Sequence, residues 1–307
     1  MNKLLIICGP TATGKTKLGI KLAKKYNGEI ISADSRQVFE GMDIITGKDL
    51  SVEIPLWGLD LVKPDQKFSV AHFVEFANKV INNIWEREKL PIIVGGSGFW
   101  IKALVEGVDS IGIPPDWKLR KQLNKLSIKQ LREKLKKLTP KKLRLMNKSD
   151  RNNPRRLIRA IEIASNQQPA YRRGRSTIKF DKLLIIGLKT KDYQGLYKKI
   201  DKRVEKRIKQ GAEREIKNLI KQGYSWDLPS FSAAGYRLWK DYFEQKKDLK
   251  EIIQDWKYNE HQLARKQLVF FKKMKNINWF DINQLGTVKR IEKKVNRWYD
   301  KNTPSSS

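Results

Sequence analysis

Residues 4–8, Leu-Leu-Ile-Ile-Cys, form an unbroken apolar run. A run of that length with no polar alternation predicts a strand buried on both faces, as in a parallel sheet. After the loop that follows, Leu18, Leu22 and Ala23 recur at helical spacing and predict an amphipathic helix over residues 17–26. A second strand is expected at residues 29–32, Glu-Ile-Ile-Ser. A helix is expected over residues 70–87, where Phe73, Phe76, Val80 and Ile84 share a face. Residues 90–94 give a further apolar strand, which runs into Gly95-Gly96-Ser97-Gly98 and a helix carrying Trp100, Ala103 and Leu104. Strands alternating with helices predict a parallel α/β sheet with its ligands at the C-terminal strand ends.

From residue 114 the pattern changes. Pro114-Pro115-Asp116 opens a lysine-rich helical stretch whose apolar stripe is thin: Leu119, Leu123, Leu126, Leu131, Leu135 and Leu138. This predicts an inserted helical lobe at 114–180, dividing a core whose first part is 1–113. Residues 182–188 are a strand expected to rejoin the sheet. Helices are expected at 194–222 and 249–274, within a return to the core and C-terminal helices at 181–300, and a disordered tail at 301–307.

The loop after the first strand is Gly9-Pro10-Thr11-Ala12-Thr13-Gly14-Lys15-Thr16. Strand, glycine loop and helix in this order are the context a phosphate-binding P-loop requires. The glycines let backbone N–H groups turn around an anion, Lys15 adds a point charge, and the Thr16 hydroxyl can ligate Mg²⁺. The motif says polyphosphate, but not which one. Asp34, just after the second strand, is either a turn aspartate or a general base or metal partner facing the loop. Arg36 and Gln37 beside it offer a cation and an amide able to read a base edge.

Composition adds a second theme. The 307 residues hold 65 Lys plus Arg against 33 Asp plus Glu, a net charge of +32. Such an excess predicts a polyanionic partner, nucleic acid first. Asn153-Pro154-Arg155-Arg156-Leu157-Ile158-Arg159 puts three arginines on the first turns of a helix, where arginine favours directed phosphate or base contacts. Arg265-Lys266-Gln267-Leu268-Val269-Phe270-Phe271 mixes cations, an amide and aromatics, and Gly235-Tyr236-Arg237 sits in a turn. No 18-residue apolar run or signal-peptide pattern occurs, so no membrane partner is expected. The single cysteine, Cys8, excludes a disulfide framework, fits a reducing cytoplasm and reads as a small core residue. With only two histidines, a structural zinc site is not expected.

The glycine loop together with Ile31-Ser32-Ala33-Asp34-Ser35-Arg36-Gln37-Val38 resembles the tRNA dimethylallyltransferase family, the tRNA isopentenyltransferases. Residues 41–44, 91–98, 153–160, 235–237, 265–271 and 278–281 follow in the family's order. The resemblance implies a P-loop NTPase-like core and transfer of a dimethylallyl group from dimethylallyl diphosphate to N6 of the adenine 3′-adjacent to the anticodon. It also implies Mg²⁺ as cofactor, the tRNA anticodon stem-loop as partner, and a monomeric cytoplasmic enzyme. The loop would hold a diphosphate leaving group rather than ATP. By the same resemblance Asp34 accepts the N6 proton, while Lys15, Thr16 and Arg203 serve the diphosphate. Ser35, Arg36, Gln37, Ser97, Arg120, residues 155–159, Gly235, Tyr236, Arg237, Arg265, Lys266 and Gln267 fall on tRNA-contacting positions.

The chain departs from the family pattern at Leu56-Trp57-Gly58, where histidines are usual, at Ile45-Thr46-Gly47-Lys48, at Ser232, and at Asn259-Glu260-His261, where a Thr-Arg combination is commoner. If residues 56–58 line the route to the allyl pocket, Trp57 is its apolar wall. The rival readings are a P-loop kinase for a small molecule or nucleotide, which would not need the charge excess, and a non-catalytic RNA-binding protein, which would not need Lys15 with Asp34.

Overall fold

The computed structural model describes residues 1–48, 53–108, 111–113, 115–166, 178–233 and 235–300. The chain divides into two compact units, residues 1–105 with 177–307, and residues 106–176. The sequence pattern predicts the insertion at 114–180; residue 114 and residues 167–177 lie outside the described residues, as does the expected tail at 301–307.

The first half of the core runs β1 (Lys3–Cys8), α1 (Lys15–Lys25), β2 (Gly28–Ser32), β3 (Leu56–Trp57), α2 (Val70–Glu86), β4 (Leu90–Gly95) and α3 (Gly98–Glu106). The helical unit follows, with α4 (Trp117–Leu123), α5 (Ile128–Leu138), α6 (Pro140–Leu145), α7 (Lys148–Arg151) and α8 (Pro154–Ser165). The core resumes with β5 (Lys182–Lys189), α9 (Tyr193–Lys209), α10 (Ala212–Lys221), α11 (Leu238–Phe243), α12 (Leu249–Phe271), β6 (Ile277–Asp281) and α13 (Thr287–Tyr299).

The six strands form one parallel sheet in the order β3-β2-β4-β1-β5-β6. Residues 182–188 do rejoin it, with Leu5 opposite Leu184 and Cys8 opposite Gly187. All six residues of β1 are buried, which is why the strand reads as a continuous apolar run. Leu5 and Ile7 pack with Leu18 and Leu22 of α1 and Ile291 and Val295 of α13. α2 packs against β2 and β4 and buries Phe73, Val74 and Ala77. Ser69 caps α2, its hydroxyl accepting from His72 N, and His72 Nδ1 accepts the Ser69 N–H in return, so this histidine is a capping residue.

One expectation needs correction, and two strands were not expected. The helix expected over 194–222 is two helices, because Gly211 adopts φ +100° and breaks the run between α9 and α10. The strands β3 and β6 had no clear apolar signal. β3 is two residues long and β6 is mostly half-buried at the sheet edge.

In the helical unit, Leu123, Leu131, Leu135, Met146, Leu157, Ile158 and Ile161 form a separate small core. Of the thin leucine stripe in the sequence, Leu123, Leu131 and Leu135 enter that core, Leu119 and Leu126 pack against it, and Leu138 is exposed.

Candidate active site

The glycine loop leaves β1 at its C-terminal end. Gly9 has φ +140°, and an added Cβ would run into the Leu188 carbonyl, so the chain can leave the sheet here only without a side chain. Gly14 is left-handed at the N-cap of α1. Between them the loop opens onto a cavity of about 130 Å³. Thr11, Lys15 and Thr16 line it, as do Asp34, Arg36 and Gln37 after β2, Gly95 and Gly96 at the end of β4, and Arg203, Arg207, Glu260 and Gln267 from α9 and α12. A broader space of about 950 Å³ adjoins it, and Lys15, Thr16, Gly47, Arg203 and Arg207 line both.

Three residues distant in sequence fix this junction. Gln267 Oε1 accepts the backbone N–H of Thr11 at 2.8 Å, and Arg203 Nη1 donates to Thr11 Oγ1 at 2.8 Å. Arg207 is buried and pairs with Glu260 at 3.1 Å. The carbonyl of Gly47 accepts from Gln37 Nε2 at 3.1 Å. A Cβ on Gly47 would run into the guanidinium groups of both Arg203 and Arg207, so the two arginines lie side by side against bare backbone. The loop carrying Gly47 is held from behind: the carboxylate of Glu215 accepts the N–H groups of Asp43, Ile44 and Ile45 and the Tyr236 hydroxyl.

These buried cations carry an electrostatic cost. Burial, then the neighbouring Arg203, pushes the Lys15 ammonium down to about 8, against the raising influence of Asp34. Lys15 Nζ donates to the Pro10 carbonyl at 2.5 Å. Burial and Arg207 push Arg203 down to about 10. Burial pushes the Cys8 thiol up to about 12, so Cys8 stays a neutral core residue. The arrangement is a desolvated cluster of positive charge at the end of a parallel sheet, the condition that favours binding of a polyanion.

Asp34 sits half-buried in the same cavity, its Oδ1 accepting Arg36 N at 3.0 Å. Ser97 Oγ accepts Ser35 N at 2.9 Å and so ties the turn after β2 to the turn after β4. Arg36 Nη1 donates to the Pro229 carbonyl at 3.1 Å. Gly47 and the carboxylates of Glu215 and Glu260 were not singled out as site residues in the sequence. Arg207 was also missed, although it lies one turn beyond Arg203 on the same helix.

Other sequence candidates lie elsewhere. Tyr236 is wholly buried and bonds Glu215, so its ring supports the loop and offers no surface for a base. Arg237, Arg265 and Lys266 are exposed. Arg265 stacks over the Tyr197 ring and bonds its hydroxyl. In the helical unit, Leu157 and Ile158 belong to the small core, whereas Arg155 and Arg156 are exposed. Arg120 makes a two-pronged contact with Glu162, at 2.6 and 2.7 Å, and Arg159 joins it at 3.0 Å. The two arginines hold the Glu162 carboxyl below its ordinary range despite burial. Trp57 is not a cavity wall. Its indole Nε1 donates to Glu29 at 2.9 Å, and it is Leu56 that lines the cavity.

A parallel sheet with a glycine loop between β1 and α1, and a site gathered at the strand ends, defines an α/β protein with a P-loop NTPase-like core. The chain belongs to the IPP transferase family: the model described as "IPP transferase" matches residues 37–274, and that described as "Isopentenyl transferase" matches residues 2–56. It is 35% identical to the tRNA dimethylallyltransferase of Acetivibrio thermocellus over 96% of both chains. It is 38% identical to that of Pediococcus pentosaceus over 97% of both. Among solved structures it is similar to the full-length tRNA isopentenylpyrophosphate transferase of Bacillus halodurans, with TM-score 0.71, 34% identity and 96% of each chain covered. A eukaryotic dimethylallyltransferase solved acting on tRNA superposes with TM-score 0.85 at 25% identity, covering all of this chain and 81% of that one.

Proposed function

We propose that this chain transfers a dimethylallyl group from dimethylallyl diphosphate to N6 of the adenine 3′-adjacent to the anticodon of tRNA. The observation that carries the reading is the sharing of one cavity by Lys15, Arg203 and Asp34 in a member of this family. Loop N–H groups, Lys15 and the two α9 arginines take the diphosphate, and Asp34 faces them across a cavity whose wall includes Ile30, Leu56 and Val94. The N6 lone pair attacks C1 of the allyl group, the C1–O bond breaks, and the electron pair leaves on diphosphate. Asp34 takes the N6 proton. Lys15 and Arg203 stabilise charge where it develops, in a site with little water to compete.

Thr16 is exposed at the junction of the two cavities, and the described residues hold no cluster of three or more acidic, His or Cys side chains that would cage a metal. That donor set suits Mg²⁺, which is commonly held by one hydroxyl or carboxylate, phosphate oxygens and water. Thr16 would hold it, and the ion would neutralise charge on the departing diphosphate.

The target base must leave its stack to reach Asp34. Exposed Arg237, Arg265 and Lys266 and the exposed Arg155 and Arg156 of α8 supply backbone contacts for tRNA. No helix among the described residues is long and apolar enough to cross a membrane, and the reading places the enzyme with tRNA in the cytoplasm. A kinase reading would explain neither the +32 charge nor the family match. Incubation with tRNA and dimethylallyl diphosphate, followed by mass spectrometry of the nucleosides, tests the proposal. Unmodified adenosine in every tRNA would reject it.

A further inference from the structure

Glu260 has no part in the scheme above, yet it is 7% exposed and lines the cavity in which an anionic substrate must sit. A buried carboxylate there should repel diphosphate. Its surroundings explain why it is tolerated. Arg203 and Arg207 lie side by side against Gly47, Arg207 buried and Arg203 half-buried. Two adjacent desolvated guanidiniums need an anion nearby. Glu260 supplies it, 3.1 Å from Arg207 Nη1, and its charge also helps keep Arg203 protonated. The pairing is incomplete, because Arg207 Nε is buried without a hydrogen-bond partner. Arg207 also borders both cavities and so stays within reach of a ligand in either.

We propose that Glu260 is an internal counter-anion that diphosphate displaces from Arg207, and that its carboxylate holds down the affinity of the site for diphosphate. In the free protein Glu260 neutralises Arg207. When the ligand supplies its own negative charge, Glu260 becomes surplus and pushes against it. The carboxylate therefore weakens binding of the prenyl donor and eases departure of the diphosphate product, which makes it a residue that sets affinity and release. The inference rests on the reading of the P-loop cavity as a diphosphate site.

The test is calorimetric titration of the full-length protein with inorganic diphosphate, which needs no tRNA and no turnover. Glu260→Gln preserves shape and removes the charge, and Glu260→Thr removes both. Each is expected to bind diphosphate roughly tenfold or more tightly than the unaltered protein, and to be inhibited by it at correspondingly lower concentration. Glu205→Gln removes a charge from an exposed pair with Lys257 on the same helix as Arg203, and should leave binding unchanged. Failure of the unaltered protein to bind diphosphate would sink the functional reading itself. If it binds and the Glu260 variants bind equally or more weakly, the counter-anion idea is wrong while the functional reading stands. Failure of both variants to fold would make Glu260 a structural partner of Arg207 only and would equally overturn the idea.

Discussion

Arg203 and Arg207 in the core and Arg120 and Arg159 in the helical unit are both close pairs of guanidiniums, but they are held in opposite ways. In the helical unit the two arginines converge on one carboxylate, Glu162, which accepts three hydrogen bonds from them. That cluster is locally satisfied, and it ties α4 to α8. In the core cavity four cations, Lys15, Arg36, Arg203 and Arg207, face only two carboxylates, Asp34 and Glu260. Desolvation there is not fully offset, as the lowered Lys15 and Arg203 show. A cluster left short of negative charge is prepared for a ligand that brings it. A cluster closed by its own carboxylate is architecture; of its outward neighbours Arg156 pairs with Asp150, and Arg155 faces solvent, where an RNA backbone can meet it.

The sharpest way to break that contrast is at the two groups proposed to handle proton and leaving group. Asp34→Asn keeps the shape of the turn but cannot take the N6 proton. Single-turnover transfer at saturating substrates should fall ~10²–10⁴-fold, with tRNA affinity little changed. Full-rate transfer would remove Asp34 from the chemistry. Lys15→Ala deletes the cation at the centre of the uncompensated cluster and should cost ~10²–10³ in rate while tRNA still binds. Near-normal turnover would mean that the loop does not hold the diphosphate.

The helical unit should respond differently. Arg155→Ala should weaken binding of an anticodon stem-loop and flatten its salt dependence, since each phosphate left without its cation lowers the slope by about one unit. Diphosphate binding should be untouched. Arg159→Ala should instead lower thermal stability, because Glu162 loses one of its two arginines, and should change stem-loop binding less than Arg155→Ala. Equal behaviour of the two variants, or a tRNA affinity independent of salt, would erase the distinction between satisfied and outward-facing arginines.

Acidity gives a further test. Lys15 falls from 10.5 in the unfolded chain to about 8 when folded. Its charged form is thus disfavoured by folding, and that penalty is present at neutral pH and eases as pH rises from 8 towards 10.5. Diphosphate requires the protonated form. Its affinity should therefore decline above about pH 8, by at most tenfold per pH unit for one proton. Affinity that holds level from pH 7 to 9.5 would show that Lys15 is not the titrating contact.

What was legible in the sequence follows from range. The loop at 9–16, Asp34 after β2 and the glycines at 95–98 are each written in a few consecutive residues, and strand–loop–helix order places them together. The partners that complete the cavity are not local. Gln267 reaches the loop from 256 positions away, and Glu260 reaches Arg207 from 53. Their helical spacing on α12 offered a hint, since positions seven apart share a face, but nothing in the pattern said which face met the loop. Tyr236 shows the reverse error. Its neighbour Arg237 is exposed, but the ring itself is committed to Glu215, and burial of that kind is a tertiary fact.

The smallest expected effect concerns strand parity at β3. Successive side chains of a strand point to opposite faces. Leu56 and Trp57 are consecutive, paired with Ile30 and Ile31 of β2, so only one of them can line the cavity. Leu56 does, beside Ile30 and Val94, and Trp57 turns to Glu29. Leu56→Ala should raise the Michaelis constant for dimethylallyl diphosphate, whereas Trp57→Ala should change it by less than about twofold, because an exposed side chain off the site seldom matters. The cost of Trp57→Ala should appear in acid instead. Hydrogen bonds from Arg87, then Lys89 and Trp57, outweigh burial and hold the Glu29 carboxyl down to about 2. A carboxyl lowered by folding contributes stability above its unfolded value near 4.5, and that contribution is lost as pH falls from 4.5 towards 2. Loss of the indole donor raises the folded value, so acid unfolding of Trp57→Ala should begin at slightly higher pH, with Arg87 and Lys89 retaining most of the effect. A raised Michaelis constant in Trp57→Ala with unchanged acid stability would reverse the assignment of the two faces.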